Sequence, residues 1–128
     1  MRKFIPLLGL VFSLTVTAGA YSQEVEMDSD LMLNIEDINK SLSSNIALER
    51  AAASKSDANE LKAMFEIVEA HFIKKGDAEN AVELSTKSKK LTSDILTSID
   101  ASNFESASNA STELSRTCKS CHAFYKKE

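Results

Sequence analysis

The chain has 128 residues and a formal net charge of −4 at neutral pH. An acidic balance argues against a nucleic-acid or anionic-membrane partner, each of which asks for a basic face. The single proline and two of the three glycines fall in the first 22 residues, and alternating β-branched runs are missing after them, so strands have no obvious home.

Met1-Arg2-Lys3 is a basic n-region, Phe4 to Val16 a mostly apolar stretch, and Ala18-Gly19-Ala20 fits the small-residue cleavage pattern of a secretory signal. A cut after Ala20-Tyr21-Ser22 fits nearly as well. The apolar run is shorter than the roughly 20 residues that span a bilayer. A cleaved signal over residues 1–22 is therefore expected, with a single domain over 23–128 and no membrane insertion after cleavage. Loss of Arg2 and Lys3 takes the formal charge from −4 to −6. About a hundred residues then remain, enough for one modest domain and not two.

A spacing of three and four recurs through the rest of the chain. Leu31, Ile35, Ile38, Leu42 and Ile46 form a first helical seam, with Ser29 as its expected cap, and it fades near Arg50. The segment 51–56 reads as a connection. Leu61, Phe65, Val68 and Phe72 form a second seam, begun by Asp57 with Glu60 and closed by Lys74-Lys75-Gly76. Asp77 is the expected cap of a third seam through Ala81, Leu84, Ser88, Leu91, Ile95 and Ile99. Ser102 with Glu105 resembles a capping box, opening a fourth helix from about Asn103 to Lys126. Short connections make antiparallel neighbours, so the expected fold is all-α, an up-down-up-down four-helix bundle.

The fourth seam reads Phe104, Ala107, Ser111, Leu114, Cys118, Cys121 and Tyr125. It carries the chemistry: Cys118-Lys119-Ser120-Cys121-His122 has the C-x-x-C-H spacing of a c-type haem attachment site. On a helix, residues three apart share a face, so both thiols can reach the vinyl groups of one porphyrin. His122 can then offer its imidazole to the iron. A thioredoxin-like pair would belong near a β-α-β pattern, which is not visible. A disulfide across so short a loop gains little entropy. A zinc site wants four ligands, and beyond the motif the chain offers only His71. One covalent haem c is the expected cofactor, seated between helices near one end of the bundle. Because such haem is attached after export, the expected compartment is a bacterial periplasm. Small Ala107 and Ser111 lie one and two turns before the motif, where bulk would compete with a cofactor.

An exported four-helix chain with this motif near its C-terminus resembles the class II c-type cytochromes, the cytochrome c′ family. The terminal pattern C-x-x-C-H-x-x-Y followed by a basic residue is matched by Cys118, Cys121, His122, Tyr125 and Lys126. The resemblance implies that Cys118 and Cys121 hold the haem and that His122 is the proximal iron ligand. It further implies a distal residue from the first helix: an apolar one leaves the iron open to small gases, while a methionine makes it six-coordinate and suited to electron transfer. Met32 is the candidate ligand, Met27 lies before the helix, and Leu31 would cover the iron without binding it.

Met64 reads as packing, His71 as an exposed residue at a helix end, and Arg116 as a solvated residue with a propionate partner as the alternative. Lys87, Lys89 and Lys90 read as a solvated face, with docking as the alternative. Phe65, Phe72, Phe104 and Phe124 would line a haem pocket or simply fill the bundle. No nucleophile–base pair or carboxylate constellation is legible, so an enzyme is not expected. The expected function is single-electron transfer between redox partner proteins, as a monomer or homodimer. The alternatives are a five-coordinate haem protein that binds small gases such as nitric oxide, and a helical adaptor stapled by a Cys118–Cys121 disulfide.

Overall fold

Four helices account for the chain between residues 27 and 125, the part that the computed structural model describes: α1 (Ser29–Ala47), α2 (Ala51–Lys75), α3 (Glu79–Asp100) and α4 (Phe104–Tyr125). The signal expected over 1–22, the first residues of the domain from 23, and Lys126 lie outside the described residues. Among the described residues no helix is long and apolar enough to cross a membrane. The links 48–50, 76–78 and 101–103 each reverse the chain. The helices pack in a ring in which α1 meets α2, α2 meets α3, α3 meets α4 and α4 returns to α1, while the backbones of the diagonal pairs stay apart. This is an antiparallel four-helix bundle. The packing is densest along α2–α3 and α3–α4 and sparsest along α1–α4.

The caps depart from expectation in detail. Asp28, not Ser29, caps α1, its carboxylate accepting from the Leu31 N–H at 2.8 Å. Asn103, not Ser102, caps α4, its side-chain oxygen accepting from the Ser106 N–H at 2.9 Å. Asp77 does not cap α3, which starts behind Ala78 without a side-chain cap. For α3 and α4 the reason is the way the preceding helices close. Glu49 and Ser102 both take left-handed backbone, at φ 53° and 55°. The N–H groups of Arg50 and Asn103 then reach back to the carbonyls of Asn45 and Ser98 at 2.9 and 2.8 Å, a Schellman closure. Gly76, at φ 70°, ends α2, and Asp77, at φ 51°, continues the reversal.

The expected connection over 51–56 is helix. Ala51-Ala52-Ala53 are the strongest helix formers, and Ser54, read as a loop residue, is fully buried. Asp57 therefore lies inside α2, where it accepts from Ser41 Oγ and Asn45 Nδ2 of α1, both at 2.8 Å.

Leu42, Leu61, Ile95 and Leu114 are fully buried and anchor the core. α3 and α4 contribute mainly small residues: Ala81, Ser85, Ser88 and Thr92 on one, Ala107, Ser111 and Thr117 on the other. Small side chains let these helices approach closely. Buried hydroxyls are mostly satisfied by their own helix, as in Ser85 Oγ to the Ala81 carbonyl and Ser88 Oγ to the Leu84 carbonyl, each 2.8 Å. Two seams shift accordingly. Ser85 and Thr92 take the deep positions expected of Leu84 and Leu91, and Thr117 takes the one expected of Cys118. A helix of 3.6 residues per turn drifts off a strict seam, and the smaller residue sits where the helices are closest.

Candidate functional site

α1 and α3 begin, and α2 and α4 end, at the same end of the bundle, so the antiparallel order brings residues far apart in sequence to one place. Cys118, Cys121 and His122 lie in the last two turns of α4, all half-buried. Both thiols are free. Cys118 packs against the buried core, and burial, with the neighbouring Cys121 adding to it, pushes its thiol up to about 11. Burial also raises Cys121. Both groups are thus held as protonated thiols on the inner side of α4. Tyr125 follows one turn later and meets Phe72 of α2 with ring centroids 5.2 Å apart, walling off the side toward α2.

The side toward α1 is set by two cross-helix hydrogen bonds. Ser43 Oγ and Ser111 Oγ are 3.0 Å apart, and Asn39 Nδ2 donates to Ser115 Oγ at 3.0 Å. Four residues back along α1 thus correspond to four forward along α4. Seven further residues along each, just under two turns, lead from Asn39 to Met32 and from Ser115 to His122. Met32 is half-buried and packs against the core, whereas Leu31 beside it is buried in the core itself. Met27 is also half-buried against the core, one residue before the Asp28 cap.

Other sequence candidates fall elsewhere. Met64 is buried packing in α2, as expected. His71 is exposed and lies edge-on to Phe72 at 5.2 Å. Phe65 and Phe72 are buried, Phe104 begins α4 at the opposite end, and Phe124, two residues past His122, is 64% exposed, so Phe72 is the buried one of the four that meets Tyr125. Arg116 is exposed and pairs with Glu113 at 3.7 Å. Lys87, Lys89 and Lys90 are engaged by Glu113, Glu69 and Asp94 respectively. Lys87 holds the Glu113 carboxyl below the usual carboxylate range through a hydrogen bond. Lys89 is only 26% exposed, so the lysine run is a set of ion-paired neighbours rather than a uniformly solvated face.

Ser111, expected as a small residue leaving room, is instead bonded across the seam to Ser43. Asn39 and Ser115 were not singled out by the apolar pattern, because they flank the seam and do not lie on it. The signal was present as two i, i+4 polar pairs, Asn39 with Ser43 and Ser111 with Ser115, on helices expected to be neighbours. Asn39 Oδ1 is buried and has no hydrogen-bond partner. An open groove of about 430 Å³ lies at the same end, between the end of α2 and the start of α3. Ile73, Gly76, Val82 and Glu83 line it, and none of the motif residues does.

Among the described residues no three His, Cys, Asp or Glu side chains converge to hold a metal ion directly. The donor set at this end suits a different arrangement. Two thiols on one helix face and an adjacent imidazole fit a ring with two covalent anchor points and a central metal. Compared with models of known protein families, with curated proteins and with solved structures, the chain matches none.

Proposed function

We propose that this chain is an exported c-type cytochrome that carries single electrons between redox partners in a periplasm, as a monomer or homodimer. The observation that carries the reading is the Cys118-x-x-Cys121-His122 spacing on the inner side of α4, both cysteines being free thiols. Its chemical sense is the one the spacing gave: two anchor points and an axial imidazole. The likeness of the terminal pattern to the class II c-type cytochromes points the same way. When bound, haem supplies a one-electron ferric/ferrous couple.

The protein's own part is to hold and shield. Cys118 and Cys121 would hold the porphyrin to α4 through thioethers. His122 would offer a ring nitrogen to the iron, and Met32 on α1, at the same level by the α1–α4 register, would be the thioether candidate. A thioether favours ferrous iron and raises the potential. Phe72 and Tyr125, whose rings meet at 5.2 Å, would shield the group on the side toward α2. Residues on α1 and α4 that would hold the group belong to elements packed in one bundle, so little of the protein would need to move between redox states.

The second reading, a five-coordinate haem protein for small gases such as nitric oxide, is favoured by one observation. Leu31 is buried beside Met32 and would cap the iron if Met32 turned away.

The test is export of the chain together with a haem-attachment system. Wild type is expected to carry acid-stable haem and Cys118→Ser with Cys121→Ser to carry none; acid-stable haem in the double variant rejects the assignment. A reduced spectrum unmoved by carbon monoxide supports electron transfer, and one that shifts readily supports gas binding.

A further inference from the structure

We infer, resting on the haem-carrying reading above, that Asn39 is a positioning residue for the sixth iron ligand: its bond to Ser115 fixes the register of α1 on α4 at which Met32 is level with His122. α1–α4 is the sparsest of the four helix seams, so apolar packing constrains sliding least there. Dispersion contacts are non-directional and tolerate a shift along the axis, whereas a hydrogen bond does not. The Asn39–Ser115 and Ser43–Ser111 bonds, each 3.0 Å, agree on a single register. That register, continued by seven residues along both helices, reaches Met32 and His122. A slip of one turn would bring Asp28 or Glu36 to the level of His122 instead, and neither supplies a thioether.

The chemistry of Asn39 itself points to specificity over stability. Its Oδ1 is buried without a partner, an unfavourable arrangement that an apolar side chain would avoid. Asn39 as a whole is half-buried; an asparagine at an interhelical seam is a known device for choosing one register at the expense of stability. Ser43–Ser111 supports the same register, but it lies one turn further from the iron level and ties two short side chains, so Asn39 is the nearer constraint.

The experiment uses the full chain, exported and haem-loaded, as wild type, Asn39→Ser, Ser115→Asn and the two combined, with Met32→Leu as reference. The readouts are the methionine-to-iron charge-transfer band of the oxidised protein and its reduction potential, with thermal unfolding as a control on the fold. Asn39→Ser, and likewise Ser115→Ala, is expected to lower the ratio of methionine-ligated to open haem about tenfold, which is what loss of this one part-buried hydrogen bond allows. The double swap rebuilds the amide–hydroxyl pair from the other side and is expected to restore most of the band. Ser115→Ala, at a half-buried position, gives the same reading if Asn39→Ser fails to fold. Single variants that keep the full band, or that lower the unfolding temperature with the band unchanged, overturn the inference and leave the haem reading intact. Wild type with covalent haem but no methionine band overturns it too. Wild type without covalent haem removes the underlying reading, and the inference falls with it.

Discussion

Ser54→Ala is expected to stabilise the bundle. Ser54 sits in the first turn of α2, fully buried, and its hydroxyl has no hydrogen-bond partner. Its own backbone N–H is satisfied by the Arg50 carbonyl at 2.9 Å, so the helix does not depend on the side chain. A buried hydroxyl left unpaired costs about 1–3 kcal/mol, and alanine adds about 0.5 kcal/mol of helix propensity. Against this stands the loss of one oxygen's packing, about 0.1–0.2 kcal/mol for each of a few contacts. The net gain is about 1–2 kcal/mol, or a rise in Tm of roughly 5–15 °C for a domain of this size. Ser88→Ala is the control, because Ser88 is as deeply placed but its hydroxyl donates to the Leu84 carbonyl at 2.8 Å. Urea and thermal unfolding followed by circular dichroism measure both, with an unchanged denaturant slope showing that only stability moved. If Ser54→Ala is no more stable than wild type, or Ser88→Ala gains as much, the unpaired hydroxyl is not the source and the reasoning fails.

Ser102→Gly should stabilise the α3–α4 link by about 1 kcal/mol, because Ser102 holds φ 55° and glycine alone occupies that region without a Cβ penalty; unfolding measurements that show a loss would refute the account of the link. Glu69 gives a pH dependence. Its hydrogen bonds from Lys89 and then Thr86 hold its carboxyl below the usual range, so the folded state releases this proton more readily than the unfolded state. The stability it adds is present above the unfolded carboxylate range and is lost as pH falls through the lowered folded value. Glu69→Gln should therefore narrow the stability difference between neutral and acid pH, and urea midpoints that run parallel for both proteins would contradict this.

Helix number, order and antiparallel sense were legible because four apolar seams of period 3.6 are separated by short breaks. The boundaries were harder to read. Ser54 looked like a loop residue because hydroxyl side chains usually mark breaks, yet the close helix approach accepts it in the core. Asp57 looked like a cap because an acid three residues before a glutamate often is one, yet it faces Ser41 and Asn45 of α1. The starts of α3 and α4 moved by one residue where Asp77 and Ser102 took left-handed backbone, a choice that tertiary closure makes and local composition does not announce. At the candidate site, the motif was readable in full from five consecutive residues. The α1–α4 register was not, because it rests on Asn39 and Ser115, two polar residues beside the seam whose pairing depends on which helices become neighbours.

The ring of helices also implies an order of assembly. α2, α3 and α4 follow one another with three-residue links and share the densest packing, so their contacts form among segments already close along the chain. The α1–α4 seam is bonded between residues 76 positions apart and has the thinnest interface to offset that loop closure. It is therefore the last seam to zip shut and the first to breathe. In native-state hydrogen exchange α1 will show weaker protection than α3, and the face of α4 that bears the two thiols will stay reachable until α1 has docked.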